Sequence, residues 1–209
     1  MKEKYKSYLD NDHSFDRTML IGIFALVVVI AGCFGWLYEF IFYFFNGGMK
    51  EFYYRGGNFL PWINIYAIGS VMIYILTYKY RKNPLKVFLI SVISTGLLEY
   101  FSGLGIYIIG DGLRYWDYNT EILNFGNING FICLRSVMFF ALSALLLMYV
   151  IVPFCFHVAS KSNKKVFLIV TITICSIFLA DEFYNLILTK LFNLPNAIKI
   201  YKSIGIHYM

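Results

Sequence analysis

Charge is scarce in this chain. Only 14% of its 209 residues are Asp, Glu, Lys or Arg, against about 25% in a soluble domain, which excludes an ordinary water-exposed globule. Cysteine is confined to Cys33, Cys133, Cys155 and Cys175. No two make a CxxC pair, so neither a disulfide framework nor a zinc site is indicated, and all four fall in or at apolar runs as small buried residues. His13, His157 and His207 lie too far apart in sequence and in expected depth to assemble a metal site. The chain has no Walker A sequence, no GxSxG and no HExxH, and no motif calls for a cofactor. Asp181-Glu182 lacks the trailing arginine of intramembrane-protease glutamate pairs, because Asn185 and Leu186 occupy the following turn.

Apolar residues are what the chain has: 59% are hydrophobic and 20% aromatic. Several apolar runs reach the roughly 20 residues that cross a bilayer. The expected fold is all-α, a polytopic membrane helical bundle of about five transmembrane helices. They are expected at Met19–Phe45, Phe59–Tyr78, Lys86–Ile109, Gly130–Val152 and Val166–Phe192. Pro61 is expected in the first turn of the second helix, where proline is tolerated, and Pro153 near the end of the fourth. The 27-residue run after the first eighteen residues is longer than a signal-peptide core, so it reads as a retained first helix. The organisation expected is a cytoplasmic segment at 1–18, the bundle at 19–192 and a tail at 193–209, with a re-entrant segment or a sixth, interfacial helix near Leu194–Ile206 as a further option.

Five spans put eleven Lys and Arg on the side of the N-terminus and six on the other, with Arg135 inside a helix. The positive-inside rule then places the N-terminus in the cytoplasm, in a multi-pass protein of the inner (cytoplasmic) membrane. The formal charge of +6 serves this topology rather than nucleic acid.

Glu99 lies inside the third apolar run, and an ionisable group in hydrocarbon costs roughly 2.5–3.5 kcal/mol on insertion scales. With about 1.5 Å of rise per residue, the topology puts Glu39, Asn64, Glu99, Arg135, Asp181 and Glu182 in one outer slab of the bilayer. Arg55 and the Arg114–Asp117 loop lie above that slab. Ser91, Thr95, Glu99 and Ser102 follow helical spacing along one polar face, as do Thr171, Cys175, Glu182 and Thr189 with Asn185 close by. Such faces turn to the bundle interior. Arg135 is expected either to neutralise one of the intramembrane carboxylates or to share a binding site with them. Trp116-Asp117-Tyr118 reads as a lid, and the remaining Trp and Tyr residues, including Tyr53, as an interfacial belt. Gly103, Gly105 and Gly110 are expected to serve close helix packing.

Gly35-Trp36-Leu37-Tyr38-Glu39, Arg55-Gly56, Pro61-Trp62 with Ile65-Tyr66 and Gly69, Leu98-Glu99-Tyr100, Trp116-Asp117-Tyr118, and Gly130 with Ile132-Cys133-Leu134 come in this order. The pattern resembles a bacterial family described as putative ABC-transporter type IV permeases, also called CmpB-like, and is distantly similar to transmembrane protein 229. Two positions depart from the family pattern. Asn64 stands where a second proline is usual, and Phe131 where an arginine follows the glycine. Arg135, one turn on, is expected to supply that guanidinium.

The resemblance implies a permease-like integral membrane protein. Its outward-facing polar pocket is expected to bind a small solute through Glu39, Tyr66, Glu99, Arg114, Trp116, Asp117, Arg135 and Glu182. In that reading Arg135 anchors an anionic group and Glu99 binds a cation or shuttles protons. Its partners would be the lipid bilayer, an ATPase or other transporter subunit meeting the Lys79–Lys86 loop, and a second copy of the chain. The alternative is a membrane-embedded enzyme acting on a lipid or isoprenoid, with Glu39 or Glu99 as general acid or base. A third reading makes the charges a brace for the bundle.

Overall fold

The computed structural model describes residues 15–46, 54 and 56–206. Tyr53, Arg55, His13, His207 and most of the N-terminal segment lie outside the described residues. The described chain is helical. Four of its helical stretches are long and apolar enough to cross a membrane: Arg17–Phe45, Pro84–Ile109, Leu134–Lys161 and Lys164–Leu191. Large apolar side chains such as Ile21, Ile93, Ile108, Ile169 and Leu179 stand exposed along them. That surface suits hydrocarbon rather than water. The protein is a helical membrane bundle.

Two compact units make up the chain, one of residues up to Ile68 and from Ile151, the other Gly69–Val150. In the first, α1 (Arg17–Asn46) starts at Asp16, whose Oδ1 accepts from Met19 N at 2.9 Å, an N-cap that satisfies one of the free amides of the first turn. Lys164 pairs with the same carboxylate. The lysine and the Met19 N–H together hold the Asp16 carboxyl below its usual range. α1 packs against α5 (Val152–Lys161) and α6 (Lys164–Phe183), with Gly22 giving room to Phe167 and Leu168.

The second helix departs from expectation. α2 runs Asn64–Thr77, followed by a 3-10 turn at Tyr78–Tyr80, and Phe59–Ile63 is not helical. Pro61 therefore precedes the helix rather than opening it. Ile63 N, which would close the first turn on the Phe59 carbonyl, donates instead to Gly32 O at 3.1 Å, while Phe59 N and Leu60 N are fixed on the Asp181 carboxylate at 3.0 and 2.7 Å. Proline at position 61 also disfavours helical backbone at Leu60. The fourteen residues of α2 rise about 21 Å, short of the roughly 30 Å hydrocarbon core.

In the second unit α3 (Pro84–Ile109) opens with proline at its first position and Asn83 as N-cap, its Oδ1 accepting from Lys86 N at 3.1 Å. Its packed face repeats every four residues through Val87, Ser91, Thr95, Glu99 and Gly103. The polar face expected from Ser91, Thr95 and Glu99 is thus the buried one, and Gly103, not Ser102, continues it. This face meets α4 (Leu134–Leu146), which buries Ser136, Ala141 and Ala144. Small residues on both sides let the two backbones approach closely.

Two widened turns interrupt the later helices. The first, Leu147–Ile151, precedes Pro153, and the helix runs on through the proline to Lys161 instead of ending there. Pro153 has no N–H for the Tyr149 carbonyl, and a π turn absorbs that missing bond without breaking the helix. The second, Tyr184–Leu188, contains Asn185, whose Nδ2 donates to the Asp181 carbonyl one turn back at 3.0 Å. After the short α7 (Thr189–Leu191), Asn196 caps α8 (Ala197–Ser203). Seven residues are too few to span a bilayer, so the tail carries a short helix that does not cross.

Candidate functional site

Glu99 sits at the centre of a polar cluster in the second unit. It is 4% exposed. Its Oε1 accepts from the Tyr118 hydroxyl at 2.5 Å and its Oε2 from Ser136 Oγ at 2.9 Å. Both partners are hydroxyls. Ser136 Oγ also accepts from Cys133 N at 3.2 Å and faces the Cys133 carbonyl at 2.9 Å. Its single proton therefore chooses between a carboxylate and a carbonyl. Burial first, and then the neighbouring Glu99 carboxylate, push the Tyr118 phenol above its ordinary range, so Tyr118 remains a donor at neutral pH.

The loop between α3 and α4 brings Tyr118 there, and its fold is dictated by short polar side chains. Asp117 Oδ1 accepts from Asn119 N and Nδ2 at 3.0 and 2.7 Å, and Thr120 closes the same turn on the Asp117 carbonyl. Asn127 Oδ1 accepts from Gly130 N at 2.8 Å, and Tyr118 N donates to the Gly130 carbonyl at 3.0 Å. Gly130 has φ +76°, and a Cβ there would lie 2.4 Å from Asp117 Oδ1; no other residue fits both demands. Trp116 Nε1 donates to the Phe131 carbonyl at 2.9 Å. Both rings press on Gly103 of α3, where a Cβ would come within 3.1 Å of each. Gly103 thus serves packing, as expected, while Gly105 has open space.

Among the described residues, Arg135 makes its ion pair with a loop carboxylate rather than an intramembrane one. Its Nη2 meets Glu121 Oε2 at 2.6 Å, its Nη1 donates to the Ile122 carbonyl at 2.8 Å, and its guanidinium lies 5.4 Å from the Tyr118 ring centre. The planar fork is directed at the loop. The Arg114 guanidinium lies over the Phe131 ring, 4.6 Å from its centre. Arg114 also donates to the Asn129 carbonyl at 2.9 Å and lies 3.6 Å from Asp117 Oδ1. Glu99, Arg114, Trp116, Asp117 and Arg135 therefore share one unit.

Glu39, Tyr66 and Glu182 belong to the other. Tyr66 OH donates to Glu39 Oε1 at 3.3 Å, its ring lying on Gly35. Glu182 accepts from Asn58 Nδ2 and Trp62 Nε1, both at 2.6 Å, and from Asn64 Nδ2 at 2.9 Å. Asp181 adds an Asn185 Nδ2 bond at 2.7 Å to its two backbone amides. Each carboxylate thus collects three neutral N–H donors, the pattern of an oxygen acceptor pinning a loop. Asn185 Oδ1 receives Ala197 N at 2.8 Å, and Tyr201 OH donates to the Phe59 carbonyl at 2.7 Å, which joins α8 to the same loop. Among the described residues no three His, Cys, Asp or Glu side chains come together as a metal site.

Sequence reasoning did not single out Glu121, Ser136 or Asn58. Ser136 carried a signal, standing three residues after Cys133 at a helix start; Glu121 and Asn58 sit in loops without periodicity.

No curated protein and no solved structure matches the chain. A family model does, over residues 26–186: the family described as putative ABC-transporter type IV. The matched residues include Glu39, Glu99 and Tyr118. This multi-pass membrane protein belongs to the putative ABC-transporter type IV family, a transport-related family.

Proposed function

We propose that this chain is a permease-like protein of the bacterial inner membrane that moves a small solute, with Glu99 as its proton- or cation-binding group. The observation that carries the reading is a buried carboxylate on a membrane helix whose hydrogen-bond partners are the Tyr118 and Ser136 hydroxyls. A carboxylate held only to bury a charge is better served by a cation. Hydroxyls, which donate or accept by rotation, suit a group that gains and loses a proton. The loop from Asp111 to Cys133 acts as the lid on the outer side, with Arg135–Glu121 holding it down and Arg114–Asn129 stiffening it internally. Glu39, Tyr66 and Glu182 are proposed as solute contacts within the other unit. The N-terminus is cytoplasmic, and an ATPase or other transporter subunit, where one takes part, is a separate chain.

The test uses proteoliposomes holding the purified protein and a pH-sensitive dye, with a pooled extract of small solutes outside. Accumulation of a solute with lumenal acidification is expected for wild type. Glu99→Gln is expected to lose both while keeping its melting temperature within a few degrees. Equal accumulation by Glu99→Gln would remove Glu99 from the mechanism, and accumulation by neither protein would remove transport.

A further inference from the structure

The acidic residues of the second unit all lie in its later part. Between Gly69 and Leu98 there are four basic residues, Lys79, Arg81, Lys82 and Lys86, and no acidic one; Glu99, Asp111, Asp117 and Glu121 all follow, with Arg114 and Arg135 among them. The 26 residues of α3 rise about 39 Å, more than the hydrocarbon core of about 30 Å, so its two ends reach opposite headgroup layers. The basic end is a fixed turn. Asn83 N donates to the Tyr80 carbonyl at 2.8 Å, Arg81 Nη1 to the Tyr78 carbonyl at 2.9 Å, and Tyr149 OH to the Arg81 carbonyl at 2.8 Å. The Arg81 guanidinium lies over the Tyr78 ring at 4.0 Å, and Lys86 Nζ is 5.9 Å from the centre of the Tyr80 ring. Lys79, Lys82 and Lys86 are exposed.

An apolar track leaves this turn. Leu85, Leu89 and Ile93, spaced four residues apart on α3, are all more than half exposed. A cationic turn continuous with an exposed apolar row has the shape of an amphiphile's counterpart. We infer that the Tyr78–Lys86 turn seats an anionic phospholipid, its headgroup phosphate on the lysines and Arg81 and an acyl chain along Leu85, Leu89 and Ile93. Ammonium and guanidinium groups bind phosphate oxygens by charge-assisted hydrogen bonds, and a turn already fixed in place loses little freedom on binding. An acidic protein segment would satisfy the charges but leave the apolar row uncovered.

Native mass spectrometry of the detergent-purified protein tests this, with dioleoylphosphatidylglycerol, dioleoylphosphatidylcholine and glycerol 3-phosphate as probes. Each basic residue near an anionic surface contributes about fivefold in affinity at moderate ionic strength. Counting the three exposed lysines, the phosphatidylglycerol is therefore expected to bind on the order of 100-fold tighter than the phosphatidylcholine, a preference that shrinks in 0.5 M salt. Lys79→Gln/Lys82→Gln/Lys86→Gln is expected to bring the two lipids near parity, and Lys199→Gln/Lys202→Gln on α8 to leave the preference intact. Equal binding of the two lipids by wild type overturns the inference, as does a preference retained by the triple variant. Glycerol 3-phosphate binding as tightly as the lipid overturns it in favour of a soluble phosphate site. The wild-type lipid comparison stands even if the triple variant does not fold, and Lys79→Gln alone then supplies the partial loss.

Discussion

The Tyr118 hydroxyl meets Glu99 Oε1 at 2.5 Å across nineteen residues of sequence. One end of this bond is fixed by α3 and the other by a loop, so the bond reports whether the loop is closed. Tyr118→Phe keeps the ring against the Arg135 guanidinium and removes only the donor. A buried acceptor left without its donor costs about 1–3 kcal/mol. Thermal unfolding in detergent is expected to show a loss of that size, smaller for Ser136→Ala if a neighbouring group takes over at Oε2. A Tyr118→Phe protein as stable as wild type would mean that the loop is held by Arg135 and Trp116 alone.

The same residue predicts a pH dependence. The folded chain keeps the Tyr118 proton above the phenol's ordinary value of 10.0, because burial and the Glu99 carboxylate both oppose the phenolate. An unfolded chain releases that proton near pH 10. The stabilisation is therefore complete below about pH 10 and is lost progressively above it, since the unfolded state then binds fewer protons. Melting temperatures measured between about pH 8 and 11 should fall more steeply for wild type than for Tyr118→Phe. Parallel curves would show that the phenol titrates alike in both states.

Glycines on two helices make opposite predictions. A Cβ at Gly35 would lie 2.1 Å from Cγ of Tyr66, whereas one at Gly105 meets nothing within 4 Å. Gly35→Ala forces the Tyr66 ring, and with it the bond to Glu39, out of place; overpacking of this kind costs about 1–3 kcal/mol. Gly105→Ala adds only helix propensity, up to about 1 kcal/mol of stabilisation. Opposite shifts in melting temperature for the two variants are the expected result.

These positions also show what the sequence could and could not convey. The helical bundle was legible because hydrophobic length is a local property, and the buried row through Ser91, Thr95 and Glu99 because helical spacing is too. Arg135's partner was not. Glu121 lies fourteen residues earlier in a loop of turns, and nothing periodic connects the two. The start of α2 was misplaced for a related reason. Pro61 marks a helix start equally well one residue or three residues ahead of the helix. The choice was made by the Gly32 carbonyl, which takes the Ile63 amide that would have closed the first turn from Phe59, with Asp181 fixing the Phe59 and Leu60 amides from a distant helix. Asp181 and Glu182 stood out as charges in an apolar run, but their donors, being backbone amides, asparagines and an indole, carry no charge that would advertise the pairing.

That arrangement gives the last prediction. Asp181 and Glu182 hold the segment from Asn58 to Asn64 through five N–H donors, so the two carboxylates should differ in what their removal exposes. Asp181→Asn keeps one oxygen for the Phe59 and Leu60 amides but presents an NH₂ group to the other. Glu182→Gln does the same among Asn58, Trp62 and Asn64, where side chains rotate to re-pair. The backbone amides of Phe59 and Leu60 have no such freedom, and each one left unpaired costs about 1–3 kcal/mol. Asp181→Asn is therefore expected to destabilise more than Glu182→Gln. It should also raise amide hydrogen exchange at Phe59 and Leu60, while Glu182→Gln instead changes the fluorescence of Trp62, whose Nε1 it contacts. Slow exchange at Phe59 and Leu60 in Asp181→Asn would mean that the Gly32 carbonyl and α8, through Ile63 N and Tyr201 OH, hold the loop without the carboxylate.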